Sequence, residues 1–188
     1  NRSYNIYFLN INSCFYNKKQ NDIIETRKLI ILEEVIKIMK EFDLKIRYPH
    51  QTNRNEADHL GAFDLETIVA RFDEMGWRQQ LVRQLQLDGV STSFIVRDDY
   101  TEQTLRITID AFSQTQQLEF KLESDIPVFI PKKDLFGLVT RKSKDTISFN
   151  YLTLSRAKEY LITFLNRDIA TLEQLYKDSL NKAIKTAS

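Results

Sequence analysis

Four residues of one polar stretch carry side chains able to ligate a metal: His50, Glu56, Asp58 and His59. A catalytic metal site takes three such ligands and leaves a position open for water. The chain has only two histidines, and this spacing matches no metal-binding cage, so the stretch reads as a solvated linker. Asp98, Asp99 and Glu102 form a second cluster. Paired carboxylates can divide acid and base roles across a cleft. Turn chemistry already accounts for these aspartates, and nothing else in the sequence indicates a cleft. Cys14 falls in the middle of an alternating segment with no base near it, so a buried, inert thiol is expected. There is no Gly-x-Ser-x-Gly elbow. Each of these chemistries lacks a complete set, so the chain is expected not to be an enzyme and to need no cofactor and no metal.

One surface feature stands out. Lys132, Lys133, Arg141, Lys142 and Lys144 flank Phe136 and a strand that begins near Ile147. Such a segment can meet phosphates or an acidic protein surface. A net charge of +1 gives the chain no general attraction to nucleic acid, so a protein is the expected partner, and a second copy of the chain is one form of it. These six residues are the candidate partner-binding site. If they carry binding, Lys142→Glu with Lys144→Glu weakens the partner's affinity and leaves thermal unfolding unchanged.

The elements that would position these residues follow from hydrophobic periodicity. Asp64 is placed to cap a helix whose apolar face is Leu65, Ile68, Val69, Phe72 and Met75, with Gly76 as its stop. Trp77 follows as a core anchor. Residues 78–87 fit two templates. Trp77, Leu81 and Leu85 suit a helix, whereas Leu85, Leu87 and the Asp88-Gly89 pair suit a hairpin arm; the strand is preferred. Ser91–Arg97, Thr104–Phe112 and Gln117–Ser124 alternate apolar with polar residues, which predicts an antiparallel meander with one face wet. Its turns fall at Asp98–Tyr100 and Ser113–Gln116. Pro127 and Pro131 bracket a short segment, Val128–Ile130, expected at an edge or in a crossing loop. Ile147–Tyr151 is a further strand. Leu154, Ala157, Leu161, Phe164 and Leu165 share a helical face, Asn166-Arg167 marks a break, and Asp168 caps a last helix through Leu172 and Tyr176.

The N-terminal part differs in composition, being richer in Asn, Ile and Lys. Tyr7, Leu9, Ile11, Ser13 and Phe15 alternate with polar positions, as in a strand. Asp22 and Glu25 are spaced as a capping box. Ile24, Ile31, Leu32, Val35, Ile38, Met39 and Phe42 then form one face of a long helix. Pro49 restricts Tyr48 to extended backbone, so Lys45–Tyr48 is predicted to be a short strand. Residues 1–53 are thus expected as a β-α-β unit, and the polar run after Thr52 places a boundary within 53–62. Residues 62–188 form the second part.

The segment Ile46-Arg47-Tyr48-Pro49-His50-Gln51-Thr52, following a strand and a helix of this length, resembles the end of the cytoplasmic domain of MscS-type mechanosensitive channels. The resemblance covers residues 4–52. It departs from the family where Asp43-Leu44 replace a glycine at the helix end, and no pore helix is present. It implies a cytosolic piece of a channel carrying an appended module, in a homo-oligomeric ring. The element order of residues 62–185 is loosely similar to the type III secretion chaperone-like, or YbjN-like, fold. That implies a free-standing binder, an immunity protein or secretion chaperone, that engages one protein partner.

The remaining bounds fit both. The chain has 188 residues, enough to bury a core in one domain or two small ones. A single cysteine suits a reducing, cytoplasmic compartment. No apolar run approaches the roughly 18–20 residues of a membrane span, and no signal peptide is read. The sequence therefore predicts an α+β protein, comprising a β-α-β unit, a helix, an antiparallel meander and C-terminal helices, that acts through protein contacts without itself touching a membrane.

Overall fold

The computed structural model describes residues 27–28, 41–51, 53, 56–112, 117–133 and 140–186. The chain divides into two compact units, Asn1–Lys40 and Glu41–Ser188. In the first, Arg27 and Lys28 are described and are helical. The expected strand around Tyr7–Phe15, Cys14, the rest of the long helix to Lys40, the Ser113–Gln116 turn and Phe136 lie outside the described residues.

The second unit is α+β. Its strands are β1 (Phe42–Arg47), β2 (Asp58–Phe63), β3 (Ser93–Asp98), β4 (Gln103–Phe112), β5 (Leu118–Lys133) and β6 (Thr140–Leu152). Its helices are α1 (Leu65–Asp73), α2 (Trp77–Leu87), α3 (Leu154–Leu165) and α4 (Ile169–Thr186). The strands form one antiparallel sheet in the order β2-β1-β3-β4-β5-β6.

The expected meander is present as β3–β4–β5–β6. Its alternation puts Phe94, Val96, Leu105, Ile107, Ile109, Phe120, Leu122, Ile147 and Phe149 into the core. The opposite face carries Arg97, Arg106 and Asp110, all exposed. Helices cover the apolar face: α1 packs on α3, α3 on β4 and β5, α2 on β4, and α4 on β6. Trp77 anchors this layer. Its ring meets Phe72 and Phe120 at centroid distances of 5.1 Å each, and its Nε1 donates to the Phe72 carbonyl at 3.0 Å. The caps are as expected. Asp64 accepts from the Thr67 amide at 2.9 Å, and Asp168 from the Thr171 amide at 3.2 Å. Asn166 ends α3, and Arg167 turns the chain with φ +57°.

Three expectations are corrected. First, Phe42 does not end a helix but opens β1. Phe42, Leu44 and Ile46 are buried while Asp43, Lys45 and Arg47 alternate with them, so a period of two overrides the helical row that ran through Ile38 and Met39. β1 pairs on both sides, Phe42 with Phe63 and Ile46 with Phe94. Residues 42–47 therefore share a sheet with 58–152, and the division of the chain falls at Lys40/Glu41 instead of within 53–62.

Second, residues 78–87 are helical. Asp88 is not a hairpin residue but the left-handed end of α2, at φ 46°, with the Gly89 amide donating to the Gln84 carbonyl at 3.1 Å. The same Asp-Gly pair that closes a hairpin also ends a helix, which is why this sequence is ambiguous. Gly76 is correspondingly the N-cap of α2, at φ 57°, while α1 has already ended at Glu74.

Third, Val128–Ile130 is no separate segment and no crossing loop, although its expected place at an edge agrees with the pairing. β5 runs unbroken from Leu118 to Lys133. β4 pairs with it only as far as Ser124, so beyond that point β5 pairs with β6 alone among the described residues. Pro127 and Pro131 sit in this one-sided stretch, where a missing amide hydrogen breaks no ladder towards β4.

Candidate functional site

The register of β5 and β6 places the basic segment in a two-stranded ribbon. Lys132 pairs with Arg141, Pro131 with Lys142 and Phe129 with Lys144. Lys144 is exposed, as is Phe129 across from it. Inside the ribbon, Tyr176 of α4 donates its hydroxyl to Asp145 at 3.2 Å. Burial raises that phenol's pKa, and the bond to Asp145 raises it further.

The other chemistry-bearing residues are taken up by local structure. Gln51 is buried. Its Oε1 accepts from the Tyr48 amide at 2.8 Å, and its Nε2 donates to Asp58 at 2.7 Å. This pins the Tyr48–Gln51 turn, in which His50 stacks on Tyr48. His59 pairs with Asp43 of the neighbouring strand. Glu56 is exposed. Among the described residues, no three His, Cys, Asp or Glu are grouped to hold a metal ion. Likewise, no described helix is long and apolar enough to cross a membrane.

The carboxylate cluster separates. Asp99 pairs with Arg97 on the surface. Asp98 is buried and takes the Arg167 guanidinium on both oxygens, Nε at 2.6 Å and Nη2 at 3.0 Å. Arg167 lies over the rings of Phe42 and Tyr100, at 5.3 Å and 5.1 Å. Burial pushes the Asp98 carboxyl upward. The Arg167 hydrogen bond and charge, with the Tyr100 amide, pull it down by more, so its pKa ends below the ordinary value. This pair is a structural clamp between the β3–β4 turn and the α3–α4 turn.

An open concavity lies beside α2 and was not foreseen. Trp77 and Leu81 turn into the core, while Val82, on a different face of the helix, is 41% exposed. Leu118, where β5 begins, and Leu154, where α3 begins, stand opposite. Together with Trp77 and Val82 they line an open groove of about 870 Å3, edged by Arg78 and Arg83. A smaller hollow of about 380 Å3 adjoins it at Thr153 and Ser155. Asp73 also borders the groove, but Lys158 holds its carboxylate at 2.6 Å. The signal for this site was present in the helical template for 78–87: once Trp77 and Leu81 are inside, Val82 falls off their face of the helix.

No protein-family model, no curated protein and no solved structure matches the chain.

Proposed function

We propose that this chain is a non-enzymatic protein-binding module whose partner docks in the groove between α2 and the first residues of β5 and α3. The observation that carries this reading is the grouping of exposed Val82 and Leu154 with Leu118 around one concavity, with arginines at its margin. Contiguous apolar surface rimmed by polar groups is the usual signature of a docking site. The ribbon bearing Phe129 and Lys144 is the competing surface.

A photo-crosslinking residue placed at position 82 tests this in cells that make the protein. The expected result is one discrete adduct from position 82 and none from Asp110 on the opposite face of the sheet. An adduct that forms from position 82 in the parent but disappears in Lys142→Glu/Lys144→Glu would transfer binding to the ribbon. Equal labelling from 82 and 110 would sink the proposal.

The resemblances supply two contexts for such a module. One is the cytosolic part of an MscS-like channel. The other is a free-standing immunity or chaperone-like binder. An antibody blot of fractionated cells separates them. A membrane band well above 22 kDa supports the channel context, and a soluble band at that size supports the free binder.

A further inference from the structure

We infer that the occupant of the groove is an acidic amphipathic helix of a partner protein, an inference that rests on the docking reading above. Four features of the groove converge on negative charge. Arg78 and Arg83 edge it. α2 opens onto it through Gly76 and Trp77, and its first turn has neither a side-chain cap bond nor an acidic residue. α3 opens onto it through Leu154, again with no acid in its first turn. Among the described residues the one bordering acid, Asp73, is paired with Lys158. Two helix N-termini thus add their partial positive charge to that of the arginines. The floor and inner wall are apolar, formed by Trp77, Val82, Leu118 and Leu154. An amphipathic helix matches this division. Its apolar anchors at successive turns seat on the floor, and flanking Glu or Asp side chains reach the helix ends and Arg83.

Trp77 is the chain's only tryptophan and lines the groove, so its emission reports occupancy directly. The probes are two synthetic peptides of about 15 residues, roughly four helical turns. Both lack tryptophan and share the same leucine spacing, one carrying glutamates on its polar face and the other lysines. The acidic peptide is expected to shift Trp77 emission and to bind at least tenfold more tightly than the basic one, with affinity falling as salt is added. Arg83→Glu is expected to reverse that preference. Val82→Asp and Leu154→Asp, each judged folded by an unchanged urea midpoint, are expected to abolish binding of the acidic peptide.

A preference for the basic peptide, or equal binding of the two, overturns the inference. So does full-strength binding of the acidic peptide to both Asp variants. A concentration-dependent dimer that Val82→Asp dissolves gives the groove to a second copy, and also overturns it. If neither peptide binds while the position-82 adduct persists, the acidic-helix inference falls and the docking reading stands. If the adduct is missing as well, the docking reading falls with it.

Discussion

Asp98→Asn removes one charge from a buried pair and leaves nearly everything else in place. The Asp98 side chain is 2% exposed and that of Arg167 is 26% exposed. Two unit charges about 4 Å apart attract by about 4 kcal/mol at an effective dielectric of about 20. Breaking one half of a buried pair costs about 3–5 kcal/mol in comparable settings. The partial exposure of Arg167 screens the interaction, so the lower end, about 3 kcal/mol, is expected here. For a domain of this size that corresponds to a fall in Tm of roughly 6–12 °C. The Asn variant retains an oxygen for the Tyr100 amide, which Asp98 now accepts at 3.0 Å, so the turn itself is preserved. Urea unfolding followed by Trp77 fluorescence measures the loss. Arg167→Met is expected to cost a similar amount, because it strands the carboxylate. Replacing both, as Asp98→Asn with Arg167→Met, is expected to recover most of it, since no unpaired charge is left buried and the Tyr100 amide keeps its acceptor. A loss under about 1 kcal/mol for Asp98→Asn, or single losses that simply add in the double variant, would refute the clamp.

The same pair has a pH signature. Because the folded pKa of Asp98 lies below its unfolded value, its contribution is fully present above the unfolded pKa of about 3.9 and is lost as pH falls through the lower, folded one. The urea midpoint of the parent protein is therefore expected to drop more steeply from pH 5 to pH 3 than that of Asp98→Asn; parallel curves would contradict the assignment. Gly89→Ala should destabilise by about 2–3 kcal/mol, because an added Cβ would stand 2.2 Å from the Pro49 carbonyl oxygen and force two backbone segments apart. A thermal melt within 2 °C of the parent would show that the Pro49 turn yields easily.

What could be read from the sequence was local. Asp64 and Asp168 announce their helices because a cap and the periodicity behind it lie within a few residues. The meander was legible because alternation in β3, β4 and β5 reports a face that is wet over its whole length. The misjudged places depend on residues far away. Phe42 fits the end of a helix until β2 and β3 are known to flank it. Val128–Ile130 looked isolated because prolines interrupt the pattern, and only the early end of β4 explains why they are tolerated. Asp98 and Arg167 are 69 residues apart, and each had a sufficient local explanation, one as a turn residue and one at a helix break. The groove beside α2 is harder still to read. It consists of side chains that nothing among the described residues covers, a property of the assembled layer and not of any one segment.

β1 also sets how the unit holds together. It lies next to β3 in the sheet, yet β2, α1 and α2 intervene in the chain. The intervening loop, residues 48–92, is more than three doublings longer than the four-residue turn between β3 and β4. At about 0.6 kcal/mol per doubling, bringing β1 to β3 costs roughly 2 kcal/mol more in chain entropy than closing that turn. Against this stand Phe42, Leu44 and Ile46, all buried, each worth about 1.5–3 kcal/mol. β1 is therefore a clasp whose side chains outweigh its entropy several-fold. A helical excursion and a β-meander that could otherwise melt separately are bound into one cooperative transition.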